Sequence, residues 1–389
     1  MRCDSLIDDV LIHLITLLPV EDLLTFRKTC KRFADLTKLR TVWCQKFTAD
    51  VLQKNLPIPG SYLPFVDIPA NELEWRTLRA LSLSKKWRFP SRQTQRTVTL
   101  PLTDSTVRDV FLLPGGQHAL TVHADCLTAW AMSLPIPKKD TIVTKIASWK
   151  LSPSGSHVVC DRSQPNRIAM QNVDDGIISI ISVQSTSDNV CRELGQTTCG
   201  SQEGKLVGLL DEHILLELSQ DDKEKSSCGV MVKNWTFPNQ AGCLLRAPDH
   251  IGRFLNFAEY KSHLVIVWEG AITVFPIPSP HSQERQLDAV GVIPFDHPVQ
   301  APVSITACQP RSLPGKTEQL SDATSCLSII VSREFASTWG RNESGVAQYI
   351  LYPAQDGAMP FGFARIPRYV KDCSNLAIGP SGRGIWSCR

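Results

Sequence analysis

The stretch Ser5-Leu6-Ile7-Asp8-Asp9-Val10-Leu11-Ile12-His13-Leu14-Ile15-Thr16-Leu17-Leu18-Pro19-Val20-Glu21-Asp22-Leu23-Leu24, continued by Thr25 to Trp43, sets the organisation of the chain. Leu6, Val10, Leu11, Leu14 and Leu17 recur at helical spacing, with Asp8, Asp9, His13 and Thr16 between them. Asp4 or Ser5 is suited to cap the start, and Asp8 and Asp9 complement the helix dipole. Pro19 ends the helix because it has no N–H for the ladder. Glu21 and Asp22 open a second helix, on which Leu23, Phe26, Cys30 and Phe33 share a face. Arg27, Lys28, Lys31 and Arg32 are expected to meet water, and Leu36, Leu39 and Trp43 extend the apolar set. Ile12 and Ile15 make the first helix too apolar for one neighbour, which predicts a second surface for a partner.

These residues resemble an F-box. The resemblance lies in Leu6-Ile7, the apolar helix Val10 to Leu17, the step Leu18-Pro19-Val20-Glu21-Asp22-Leu23, the basic-apolar helix Phe26 to Phe33, and Trp43. The motif's opening Leu-Pro is Leu6-Ile7 here, so its first proline is missing. The resemblance implies docking on a Skp-type adaptor, and through it on a cullin, with Leu6, Ile7, Val10, Leu11, Leu14, Leu23 and Leu24 as apolar anchors.

With 389 residues the chain has room for two or three domains. A net charge of +3 is small for that length and does not imply strong nucleic-acid attraction. The 13 cysteines are odd in number and contain no C-x-x-C pair, which fits reduced intracellular thiols, cytoplasmic or nuclear. Val10 to Val20 is preceded by acidic residues and is too short to span a bilayer, so neither signal peptide nor membrane segment is expected. The triplets Asn234-Trp235-Thr236 and Asn342-Glu343-Ser344 are then chance matches to a glycosylation site.

The pattern divides into an F-box helical domain over 1–50, a linker and bridging helix over 51–96, and a β-propeller-like domain over 97–389. Pro57, Pro59, Gly60, Pro64 and Pro69 mark the linker, Asn71 is a candidate cap, and Leu73, Trp75, Leu78 and Leu81 give the bridging helix an apolar side. Lys85, Lys86, Arg88, Arg92 and Arg96 read as a solvated bridge, with a nuclear-import signal or a patch for an acidic partner as the alternatives.

Beyond residue 97 short Val-, Ile- and Thr-rich runs alternate with turn residues. Turns of one type are expected at Leu112–Gly116, Leu151–Gly155 and Ile378–Gly382, each a hairpin between two strands. Further hairpins are read at His118–Met132, Ile168–Val183, His213–Phe237 (with a charged loop over Ser219–Cys228), His263–Ile277 and Leu327–Gly340. Their turns recur at steps of mostly about 46–50 residues, the signature of blade-like repeats. Trp130, Trp235 and Trp339 fall late in three units, on an expected outer strand, which resembles a divergent WD-repeat propeller without the Gly-His and Trp-Asp pairs; a β-sandwich is the alternative. The chain stops one strand short of a last sheet, so a shortened or unclosed ring is expected, with completion of the final blade by a strand from residues 97–112 as the alternative.

No catalytic motif accompanies this pattern. Gly315-Lys316-Thr317 lacks the glycine five positions earlier, where Pro310 stands. His123 and Cys126 lack an orienting third group, and no metal or cofactor set is expected. The chain reads as a non-enzymatic substrate receptor, or as a propeller scaffold without a ligase role.

Overall fold

The computed structural model describes residues 6–54, 56, 58–59, 65–88, 106–113, 118–133, 142–152, 156–161, 164, 166–183, 191–199, 204–218, 229–238, 240–246, 248, 251–279, 285–308, 326–336, 342–353, 361–368, 373–378 and 384–388. The chain forms two compact units, residues 1–99 with 114–117, and 100–113 with 118–389.

The first unit is helical: α1 (Asp8–Leu17), α2 (Val20–Phe26), α3 (Lys31–Leu36), α4 (Arg40–Phe47) and α5 (Ala70–Arg88). Asp8 and Asp9 occupy the first turn of α1, but its N-cap is Ile7, with no side-chain cap bond, so the helix starts later than Asp4 or Ser5 would place it. The second helix read from sequence is two helices. Thr25 and Thr29 turn their hydroxyls onto the Glu21 and Phe26 carbonyls, offering the backbone a local alternative to the helical ladder. The chain then extends at Cys30 before α3 begins. The break lets Phe26 and Phe33 stack with ring centroids 4.0 Å apart. Trp43 and Leu23 are fully buried, and the core they anchor also takes in Val51, Ile68, Leu73 and Ala80.

The second unit is β throughout its described residues. Strands β1 (Val107–Leu112), β2 (His118–His123), β3 (Cys126–Ser133) and β4 (Ile142–Lys150) form an antiparallel meander, and β5 (Ser156–Cys160), β6 (Arg167–Asn172), β7 (Ile177–Val183) and β8 (Cys191–Thr198) form the next. The third is β9 (Lys205–Leu210), β10 (His213–Glu217), β11 (Gly229–Asn234) and β12 (Cys243–Arg246). The fourth is β13 (Phe254–Tyr260), β14 (His263–Trp268) and β15 (Ala271–Pro276), completed by β17 (Gly291–Pro294). On the way to β17 the chain lends β16 (Gln286–Leu287), parallel, to the edge of β12. The fifth is β18 (Gln300–Cys308), β19 (Cys326–Ala336), β20 (Asn342–Pro353) and β21 (Phe361–Arg368), and β22 (Cys373–Ile378) pairs with β23 (Gly384–Cys388).

Alternation along the second strand of a sheet explains how successive sheets pack. On β10, Ile214 and Leu216 bury against the sheet before, while Leu215 buries against the sheet after. On β14, Leu264, Ile266 and Trp268 face the preceding sheet, while Val265 and Val267 face the next. A strand with both faces apolar needs a neighbour on each side. The result is a propeller-like succession of blades, with the second, third and fourth sheets each covered by two different partners, which a two-layer sandwich does not give.

Several sequence readings are corrected. Leu151–Gly155 joins β4 of one sheet to β5 of the next, so it is a connector and not a hairpin. β19 runs unbroken past Arg333, pairing Arg333 with Gly345 and Ala336 with Asn342, so the hairpin turns after Ala336. Trp130 lies on β3, third of four strands, and Trp235 directly follows β11, also a third strand. Neither is on an outer strand. Trp339 and the loop Ser219–Cys228 lie outside the described residues.

Candidate functional site

The first helix presents two apolar faces. Leu11 and Ile15 are 2% and 1% exposed and turn into the unit's core. Ile7, Val10, Leu14 and Leu17 stand 67%, 41%, 46% and 68% exposed. Their spacing of three and four residues aligns them along one side of α1. Four large aliphatics on one helix side form a contiguous uncovered stripe.

Among the residues assigned to docking from sequence, Ile7, Val10 and Leu14 therefore reach the surface. Leu6 and Leu24 are half-buried against the core. Leu11 and Leu23, 2% and 0% exposed, hold the core itself. The anchors implied by the F-box resemblance omit Leu17, yet it is the most exposed of the stripe; its helical spacing with Val10 and Leu14 was the available signal.

The stripe is fixed at its start by an arginine. Arg32 on α3 donates through Nη2 to the Leu6 carbonyl at 2.5 Å and to the Asp8 carboxylate at 2.6 Å, with Nε on the same carboxylate at 3.0 Å. At the other end of α3, Thr37 is wholly buried. Its carbonyl accepts from the Trp43 indole at 2.9 Å and from Arg27 Nη2 at 3.1 Å, and its hydroxyl accepts from Arg27 Nε at 3.1 Å. Arg27 was expected in solvent; it is 20% exposed because Glu74 on α5 meets it with two bonds, 2.7 and 3.0 Å. Lys46 on α4 is nearly buried, and burial holds its amine below the ordinary lysine value despite Asp50 at 3.9 Å.

Residues 3–45 match the family model for the F-box domain. The chain carries an F-box domain. F-box domains bind Skp-type adaptors, and the stripe on α1 lies inside the matched residues. No curated protein sequence matches the chain. Solved structures resembling it include the WD40 domain of SCAP from fission yeast, at 9% identity and a TM-score of 0.40 over 71% of this chain and 65% of that one. The core factor of S. cerevisiae resembles it at 9% identity and 0.45, over 70% of this chain and 43% of that one. Kluyveromyces lactis Hsv2 does so at 14% and 0.38, over 71% and 76%. The chain thus spans less than two thirds of the first two, and likeness at this level says nothing of function.

The β unit offers little chemistry among its described residues. Among the described residues of both units, no helix is long and apolar enough to cross a membrane, and no group of three or more His, Cys, Asp or Glu could hold a metal. His123 Nε2 lies 3.0 Å from the Thr121 hydroxyl, while Cys126 Sγ lies 3.9 Å from that of Thr128. Asn234 is buried, and its Oδ1 accepts the backbone N–H and hydroxyl of Thr236, which makes the triplet a turn. The side chain of Asn342 and the run Gly315-Lys316-Thr317 lie outside the described residues.

Proposed function

We propose that the chain is the substrate-recognition subunit of an SCF-type ubiquitin ligase. The helical domain over 1–50, continued by the bridge over 51–96, docks on a Skp-type adaptor and through it on a cullin. The β domain over 97–389 holds the target protein. The chain itself performs no chemistry; it raises the effective concentration of the target near the ubiquitin-loaded enzyme. Its setting is intracellular, where that machinery works.

The observation that carries this reading is the stripe Ile7, Val10, Leu14 and Leu17, exposed on an F-box helix whose adjoining side, Leu11 and Ile15, is buried. Covering each large aliphatic is worth on the order of 1.5–3 kcal/mol. Ile7 takes the position of the missing proline and is itself a large apolar group, so that departure still leaves an apolar contact there.

The test is binding of the full chain to purified Skp-type adaptor, beside an Ile7→Asp, Leu14→Asp double variant. Both positions are exposed, so the variant keeps its fold. Binding by the wild type alone supports the reading. No binding by either leaves a propeller-like scaffold without a ligase role.

A further inference from the structure

We infer that Glu74, 29 residues beyond the end of the F-box match, is a positioning residue for adaptor docking. The inference rests on the docking reading above and deepens it.

The short helix α3 is strung between two arginine clamps. Arg32 ties it to the Leu6 carbonyl and the Asp8 carboxylate, where the exposed stripe begins. Arg27 ties its C-terminal cap, Thr37, through both the hydroxyl and the carbonyl. The same guanidinium lies 5.8 Å from the ring centre of Trp43, whose indole N–H shares the Thr37 carbonyl. A six-residue helix has no stability of its own, so its place is set by these contacts and by Phe33 and Leu36 in the core.

Arg27 can hold Thr37 only while its own charge is matched. It is four-fifths buried, and a desolvated guanidinium without a carboxylate is costly enough to drive it toward water. Glu74 supplies that match, as the carboxylate partner of a bidentate pair with side-chain exposures of 20% and 21%. The path from α5 to the docking stripe therefore runs Glu74, Arg27, Thr37, α3, Arg32, and then the start of α1. Loss of Glu74 frees Arg27, loosens the cap of α3, and lets Arg32 and the α1 start shift relative to α4.

The experiment titrates the full chain with Skp-type adaptor, comparing wild type, Glu74→Gln, Glu74→Ala, Arg27→Ala and the Arg27→Ala, Glu74→Ala double variant. Glu74→Gln keeps the side-chain shape, so it serves where the alanine variants fold poorly. Binding is read well below each variant's unfolding transition, where circular dichroism reports a fully folded chain. The expected result is adaptor affinity weakened by about fivefold or more in Glu74→Gln, a size typical of coupling between sites. The double variant is expected to be no weaker than the weaker single variant, because the two residues act on one path. A lowered unfolding midpoint with unchanged affinity would mean that Glu74 only stabilises the unit, and would overturn the inference. Failure of the wild type itself to bind removes the docking reading, and this inference with it. Normal wild-type binding with unaltered Glu74→Gln binding removes this inference alone.

Discussion

Trp268 gives its indole N–H to the hydroxyl of Thr273 at 2.7 Å, and both side chains are completely buried. The bond joins β14 to β15 diagonally across their hairpin. The first sheet repeats it: Trp130 on β3 donates to Thr121 on β2 at 2.9 Å, with His123 on the same hydroxyl. A buried indole donor needs an acceptor, and each of these two sheets supplies it from a threonine on the adjoining strand. Thr273→Val preserves volume and removes the acceptor. It is expected to destabilise the β unit by about 1–3 kcal/mol, the cost of an unsatisfied buried donor, read from denaturant unfolding. Thr273→Ser, which keeps the hydroxyl, should lose much less.

Gly176 ends the Asp174-Asp175-Gly176 turn at φ +65, and a Cβ there would lie 2.2 Å from the Cys199 carbonyl oxygen. That segment cannot simply move away, because the Cys199 N–H is bonded to the Gly176 carbonyl at 2.9 Å. Gly176→Ala should therefore destabilise by more than about 1 kcal/mol through backbone strain alone, measurable as a lowered unfolding midpoint.

Much of this architecture was legible in local pattern. Ile168–Val183 and His263–Ile277 declare their strands and turns by short Val- and Ile-rich apolar runs broken at Asp-Gly or Glu-Gly. What local pattern could not carry depends on distant partners. Arg27 looked like a surface residue because its partner, Glu74, lies 47 residues away. Leu11 and Leu14 are equivalent in spacing, and only the packing of α3 and α4 decides that one is core and the other surface. The hairpin read over Leu327–Gly340 was expected to turn near residue 333, yet Arg333 and Glu334 stay in a long two-stranded ladder with β20. The connector at Leu151–Gly155 shares its Pro-Ser-Gly chemistry with hairpin turns, and only the sheet order separates the two uses.

Cysteine reactivity should divide sharply. Burial, assisted by the neighbouring Asp161, pushes the Cys160 thiol up to about 12. Cys30 is exposed at the start of α3. Because the thiolate is the reacting form, brief alkylation of the native protein at mildly alkaline pH should label Cys30 and spare Cys160. Peptide mapping by mass spectrometry reads the outcome, and denaturation should abolish the difference.

Glu259 gives a pH-dependent prediction. Partial desolvation, then the Asp211 and Asp161 carboxylates, raise its carboxyl above the ordinary value. The folded state thus holds this proton more tightly than the unfolded chain does. Stability is lost as pH rises from the unfolded value, about 4.3, through the raised folded value. Glu259→Gln should raise the unfolding midpoint at neutral pH, and the gain should vanish below pH of about 4, where both states are protonated.

Calorimetric titration of the full-length wild-type chain and the Ile7→Asp, Leu14→Asp variant with purified Skp-type adaptor tests the docking stripe most directly. The expected result is one-to-one binding by the wild type and none by the variant, with equal unfolding midpoints for the two chains, since both positions are exposed. Equal binding by both, or binding by neither, would contradict a docking function for this face of α1.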